Sequence, residues 1–362
     1  MVVQFSSANV SVQRHGARGA RRKEGAVVLC EWMVLTLMHT LFVALILLAP
    51  PPLKPWLMRV LLGARIGRNV RVGWFAGISA RHIAIGDESD IRALTFINCH
   101  GDVVIGRYSI ISSFVLAYGA ADLIIGDHSY IGPQTFINCD ECVSIGDYSA
   151  LGARCMVYTH GSFFPYTEGY WVKFGPVTVG DHVWCAAGVF IHPGVTIGDH
   201  VFVNSRSVVM RDVAPGDVIE GFPAQTVTTM NRLKRSMSPR RRDAAARQIL
   251  DHFVDLGLRR ELRIDDVAQR DEPITFRYRG KQYRLLCVPS VGDPPTFDDG
   301  RADRVVALVT RPGWTPPVGA TVYPLDLIAY RTLRSDDPIH HALRTFLMRY
   351  YGVQIEYIDA AK

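Results

Sequence analysis

An apolar residue followed by glycine recurs through the middle of the chain, at Ile85-Gly86, Ile105-Gly106, Ile125-Gly126, Ile145-Gly146, Val179-Gly180 and Ile197-Gly198. The steps between these pairs are 20, 20, 20, 34 and 18 residues. Asp follows most of them, as Asp87, Asp127, Asp147, Asp181 and Asp199. Inside a repeat a branched apolar residue returns every six positions, as in Ile125, Ile131, Ile137 and again in Ile145, Leu151, Val157. Even the text repeats: Thr95-Phe96-Ile97-Asn98-Cys99 returns as Thr135-Phe136-Ile137-Asn138-Cys139. A six-residue sub-period inside a longer fixed period predicts a β-solenoid built from hexapeptides. One short strand cannot bury its apolar residue alone. Three of them closed into a coil can, and stacked coils make a continuous apolar column. Glycine at the corner is read as permitting the tight turn, with Asp beside it tolerating positive φ. A parallel β-sandwich is the competing reading, and aligned Ile-Gly-Asp text argues against it.

The pattern changes on both sides of the repeat. Residues 27–49 are apolar except for Glu31, Thr36, His39 and Thr40, and Pro50-Pro51-Pro52 ends them. That length reaches the ~20 residues a bilayer span needs. Leu53–Leu62 reads as a short amphipathic piece. A span, an interfacial or re-entrant helix, and a helix buried in the fold all fit this segment. The coils begin imperfectly at about residue 63. The long step hides an insertion, Tyr158 to Pro176. Helical character returns from Met230 to about Leu258. Beyond it, Ile274–Tyr278 and Tyr283–Cys287 predict a hairpin around Arg279-Gly280-Lys281. Val305–Thr310, Thr321–Tyr330 and Val353–Ile358 read as strands, and His340–Tyr351 as an amphipathic helix. The chain thus divides into a basic, disordered arm (1–25), an apolar helical segment (26–62), a solenoid (63–228), a basic helical linker (229–258) and a small α+β domain (259–362).

Charge sharpens the ends of this picture. The net charge of +6 over 362 residues is concentrated locally. Arg14, Arg18, Arg21, Arg22 and Lys23 lie in the arm, and Arg232, Lys234, Arg235, Arg240, Arg241, Arg242 and Arg247 follow the solenoid. Such clusters suit anionic lipid, nucleic acid or plain solvation. No RNA-binding motif accompanies them, so lipid is preferred to nucleic acid. Seven scattered Cys fit a reducing compartment. Cys99 and Cys139 read as small buried fillers. Cys139 and Cys142 have CxxC spacing without a second pair, which does not make a zinc site.

Candidate chemistry concentrates in the insertion, because a rigid coil positions its loops. His128, His182 and His200 follow the Gly-Asp corners, where an exposed structural role is expected. His160 alone opens the insertion. An imidazole there is a candidate general base. Glu168, Tyr170 and Trp171 follow it in the loop.

Gly175–Trp184 (GPVTVGDHVW), Ile191–Asp199 (IHPGVTIGD), Ser207–Val213 and Gly221-Phe222-Pro223-Ala224 resemble the hexapeptide-repeat acyltransferases. That group includes maltose, galactoside and capsule-sugar O-acetyltransferases. The resemblance covers roughly residues 63–230, and Thr159-His160 matches the family's catalytic Thr–His position. It implies a mainly β fold, a left-handed parallel β-helix, and a homotrimer with active sites between subunits. It implies an acetyl-CoA co-substrate, no metal, and direct transfer with His160 as base. A backbone N–H near Ala186 or Ala187 would hold the oxyanion. Asn138 matches an acceptor-binding Asn, or caps a turn as Asn98 would. Glu168 would orient His160 or bind sugar hydroxyls, with Tyr170 and Trp171 on the acceptor side. Trp184, Ser205, Arg206 and Arg211 fall on the donor side. Cys185-Ala186 and Asn204-Ser205-Arg206 depart from the family pattern, Arg206 being bulky where CoA approaches the backbone.

The implied function is acetyl transfer to a sugar hydroxyl in surface polysaccharide or glycolipid assembly. The membrane segment suits a lipid-linked acceptor. Acetyl-CoA is cytoplasmic, so the expected site is the inner face of the membrane, without full crossing. Alternatives are another acyl donor, an amino-sugar acceptor, or a non-catalytic trimeric scaffold. A γ-type carbonic anhydrase shares the solenoid but needs three converging His ligands, and His82, His100, His128 and His160 lack that spacing.

Overall fold

The computed structural model describes residues 38, 40–162, 164–268, 273–295, 303–316 and 321–358. The basic arm and residues 26–37 of the apolar segment lie outside the described residues. The chain forms two units, Met1–Lys234 and Arg235–Lys362.

The first unit is a left-handed parallel β-helix. Each coil contributes one short strand to each of three faces. Face one stacks seven strands, from Arg65–Ile66 to Thr196–Ile197. Face two runs from Arg71–Val72 to Phe202–Val203 and ends in a hairpin, Asp217–Gly221 with Ala224–Thr229. Face three stacks seven more, from Gly77–Ser79 to Val208–Val209. The register is the repeat itself: Ile105, Ile125, Ile145 and Val179 are successive partners on face one. The hexad positions Ile125, Ile131, Ile137, Ile145, Leu151 and Val157 all point inward and are buried.

The corner text has a different physical basis from the one the sequence suggested. Positive φ falls on the residue after the Asp position, at Glu88, Tyr108, His128, Tyr148, His182 and His200. The glycines are needed because coils stack too closely for a Cβ. One built on Gly126 would lie 2.3 Å from Asp147 Oδ1 and 2.7 Å from the Gly146 carbonyl carbon. The Asp is a rung between coils: the Asp127 N–H donates to Asp147 Oδ1 at 2.7 Å, and the Asp147 N–H to Asp181 Oδ1 at 2.8 Å. Ser two residues later does the same work, its hydroxyl donating to the next coil's glycine carbonyl (Ser129 to Gly146 O, 2.7 Å). These bonds satisfy corner N–H and C=O groups that the short strands leave unpaired. The positive-φ side chains stack in a column, Tyr108, His128, Tyr148, His182 and His200, at centroid spacings of 4.6–5.1 Å. His128, enclosed between two tyrosines, is buried and not exposed as its corner position suggested.

Two helices close the N-terminal end. Helix α1 spans residues 40–48, and α2 is Lys54–Leu62, ended by Gly63 at φ 63°. Ile46 and Met58 join the coil's core. Lys54 is fully buried, and its ammonium donates to Leu47 O at 3.1 Å and Ala76 O at 3.0 Å. Burial pushes its pKa down to about 8. Among the described residues no helix is long and apolar enough to cross a membrane.

In the second unit a seven-stranded mixed sheet runs in chain order. The hairpin Ile274–Tyr278 with Lys281–Val288 is antiparallel, and Arg304–Val309 and Val322–Asp326 add in parallel. The stretch Met230–Leu258 is not one helical run. After α3 (Met230–Leu233) it breaks, and α4 (Pro239–His252) restarts with Ser238 as N-cap and Pro at N1. A π-helix, Phe253–Glu261, follows. Ile249, Leu250, Phe253, Val254 and Leu258 are part of this unit's own core, with Leu343, Phe346 and Leu347 of α5 (Pro338–Tyr351). Thr321–Tyr330 is a shorter strand, Val322–Asp326, because Asp326 Oδ1 accepts the Ile328 and Ala329 N–H groups and turns the chain.

Candidate active site

The insertion leaves face three after Met156–Val157 and rejoins face one at Val177–Val179. At its base His160-Gly161 pairs antiparallel with Lys173-Phe174, His160 opposite Phe174. The Phe174 ring stacks on the imidazole at 5.7 Å and 15°. A coil period of 20 residues places His160 directly above Asp140. Its Nδ1 lies 2.9 Å from Asp140 Oδ2 and 3.1 Å from Asn138 Oδ1. Both neighbours are acceptors, so Nδ1 carries a proton toward them, and in the neutral ring Nε2 is the nitrogen that accepts.

This contact is held from beneath. Asn138 is buried, and its Nδ2 donates to Asp140 Oδ2 at 3.0 Å. The buried Thr159 hydroxyl lies 2.8 Å from Asn138 Oδ1 and accepts the Glu141 N–H at 3.0 Å. Thr159, Asn138 and Asp140 thus fix one another before they fix the imidazole. Asn98, with the same local text, is exposed, since no insertion covers it.

The imidazole opens on a groove of about 540 Å³, walled by Tyr118, Tyr158, Trp171, Phe190 and Met210 with Lys173 and His192. Tyr158 and Phe190 stack at 5.5 Å. Burial, then the Lys173 charge, hold His192 below its usual value. Burial, then Tyr158 and Asp140, push the Tyr118 hydroxyl up. The site presents the His160 imidazole on the wall of an aromatic groove that also holds His192, an arrangement that can take a proton from a group bound there.

The loop residues separate. Trp171 lines the groove. Tyr170 turns to Phe164, ring to ring at 4.8 Å. Glu168 sits in an exposed one-turn helix, Tyr166–Glu168. The carboxylate that meets His160 is Asp140 and not Glu168. The repeated text held a signal for it: the two copies diverge at the next residue, His100 in one and Asp140 in the other. Asn138 spends its amide on Thr159 and Asp140 instead of turning it into the groove.

The donor-side set lies elsewhere on the coil. Trp184 is exposed on face two against Phe202. Ala186 and Ala187 follow at the corner between faces two and three. The Ala186 N–H is committed to Val203 O at 2.9 Å, which removes it as an oxyanion donor. Ser205 gives its N–H to Asn204 Oδ1, and Arg206 takes φ 58° and gives its N–H to Ala187 O. Arg206 and Arg211 are exposed. Within one chain, Trp184, Ala186, Ala187, Ser205 and Arg206 lie away from His160, whereas Arg211 follows the face-three strand Val208–Val209 and adjoins Met210 of the His160 groove. Among the described residues no group of three or more His, Cys, Asp or Glu is placed to hold a metal ion.

No family model matches the chain. Galactoside O-acetyltransferase of Escherichia coli K12 is 34% identical over 56 residues, 16% of this chain and 28% of that protein. Nodulation protein L of Rhizobium meliloti is 50% identical over 50 residues, 14% of this chain and 27% of that protein. The chain therefore spans little more than a quarter of the length of these curated relatives. Hexapeptide text, coils and these matches agree. The matched stretch is similar to acetyltransferases, in keeping with the resemblance of the repeat text to the hexapeptide-repeat acyltransferases. Among solved structures, a hexapeptide-repeat acetyltransferase of Vibrio cholerae complexed with acetyl coenzyme A is 23% identical, with a TM-score of 0.31, over 55% of this chain and 89% of that one.

In this coil Asp140 is the charged partner of the His160 Nδ1. With Asp140→Asn, the Nδ1 proton loses its charged acceptor while the packing stays the same. Turnover is expected to fall about 10- to 10⁴-fold, the span seen for groups that orient an imidazole, with donor KM and melting temperature unchanged. Steady-state kinetics beside a thermal melt checks this.

Proposed function

We propose that the chain moves an acyl group, acetyl in the first instance, from a CoA thioester to a sugar hydroxyl. The observation that carries this reading is the Asp140–His160 pair aimed into an aromatic groove. His160 Nε2 removes the hydroxyl proton, and the oxygen attacks the thioester carbonyl. The tetrahedral oxyanion collapses, the C–S bond breaks, and the thiolate takes the proton back from the imidazolium. The flat rings of Tyr118, Tyr158 and Trp171 suit the apolar face of a sugar ring.

The donor set belongs, in this reading, to a neighbouring copy. His160 and Trp184 sit on different faces of one chain, and a homotrimer brings one copy's face two against another's face three. The outward column Phe96, Leu116, Phe136 and Met156 on face three supports such a contact, since a lone coil would leave it in water. Ala187, with Ala186 committed, is the oxyanion donor. Trp184, Ser205, Arg206 and Arg211 line the CoA side. The acceptor is a sugar or glycolipid of a surface polysaccharide, met at the inner face of the membrane. An amine in place of the hydroxyl would use the same base.

Release of free CoA thiol from acetyl-CoA, followed with a panel of sugars, tests the reading. Acceptor-dependent release is expected. A flat response to every sugar and amino sugar, with acetyl- and longer acyl-CoAs alike, would sink it.

A further inference from the structure

Helices α1 and α2 are apolar on two sides. Their inner sides close the coil through Ile46, Ala49 and Met58. Their outer sides are apolar as well. Leu41, Leu45 and Leu48, at spacings of four and three, form one outward stripe of α1, each more than half exposed. Trp56 and Val60 of α2, with Leu53 just before it, form a second, again each more than half exposed. A helix that is apolar all round belongs in a core or in lipid. Neither helix can be threaded through a bilayer as it stands, because the inner side is fixed to protein. The buried Lys54 bridges Leu47 O of α1 and Ala76 O of the first coil, so the helices and the coil move as one. Only an outer face is left for lipid.

We infer that this outer face docks on an anionic bilayer surface, lying in the interface without crossing. The geometry is that of an interfacial amphipathic element, which buries its apolar side at the headgroup–acyl boundary. Trp56 is the residue type enriched at that depth. Charge decides the lipid. Five basic residues, Arg14, Arg18, Arg21, Arg22 and Lys23, precede the helices in sequence with no acidic residue among them. A basic run that precedes an apolar face closely in sequence adds attraction to anionic headgroups. The inference goes beyond acyl transfer and does not depend on it.

The test uses full-length protein and sedimentation with vesicles of phosphatidylglycerol and phosphatidylcholine, or phosphatidylcholine alone. Wild type is expected to bind the mixed vesicles, more weakly at high salt. Leu45→Glu/Trp56→Glu is expected to lower the partition coefficient at least tenfold with an unchanged circular dichroism spectrum and melt. Brominated lipid is expected to quench tryptophan emission in wild type and much less in Trp56→Phe. Wild type that ignores anionic vesicles, or a double variant that binds like wild type, overturns the inference. So does a double variant that changes the oligomeric state without lipid while vesicle binding is absent, which would make this face a contact between copies.

Discussion

Replacing His160 by Ala is expected to lower kcat by about 10²–10⁴, the usual contribution of a positioned general base, while leaving the fold and donor binding intact. The reasons are local. The side chain is 34% exposed and its polar contacts are with Asn138 and Asp140. Asp140 keeps the Asn138 amide when the imidazole is gone. The coil beneath does not depend on the ring, since Thr159 is tied to Asn138 and Glu141 through its own hydroxyl. Donor affinity is expected to change little, because the ring's polar contacts are with Asn138 and Asp140 and not with the residues assigned to the donor. The comparison needs steady-state rates, calorimetry with acetyl-CoA and a melt on the same preparations. Activity within about threefold of wild type, with the fold intact, would remove His160 from the chemistry and leave His192 as the imidazole of the groove.

The coil was legible because its period is written directly into the text. Apolar residues six apart must share the interior, and the 34-residue step had to contain a loop. His160 was legible for the same reason, as the His that breaks the pattern. Its partner was harder to see. Asp140 and His160 are far apart in sequence and one coil period apart in the stack, so only the coil length turns that separation into contact. Burial of Asn138 but not Asn98 was invisible, because the two share their local text and differ only in what the insertion covers. The corner glycines were read as permitting a tight turn, whereas the cause is the close approach of the neighbouring coil's backbone. In the second unit, alternation marked the hairpin. The shortening of Thr321–Tyr330 depends on Asp326 capping its own turn, and Asp does that only in some contexts. The π-helix at Phe253–Glu261 leaves no period in the text. Gly257 sits beneath the Phe253 ring there, at a distance that no Cβ would tolerate.

The second large effect follows from that corner. Gly126→Val is expected to destabilise the first unit by about 3 kcal/mol or more, at the upper end for an overpacked site. The missing space cannot be made by a rotamer change. The nearest atoms to a Cβ there are Asp147 Oδ1 at 2.3 Å, the Gly146 carbonyl carbon at 2.7 Å and Asp147 N at 2.8 Å. Two of these are backbone. The third already accepts the Asp127 N–H at 2.7 Å, so displacing it breaks the rung that joins the two coils. Ser129, which donates to Gly146 O, would lose its geometry at the same corner. In a stacked repeat each coil is held chiefly by its neighbours, so a break in the middle weakens both sides. For a unit of this size the melting transition should fall by roughly 6 °C or more. Gly161→Ala is the control: it has no atom within 4 Å of a Cβ and no positive φ. Its melting temperature should stay within about 2 °C of wild type, as for a surface change. Equal shifts for the two variants would mean that the corner glycines serve chain flexibility and not the close approach of coils.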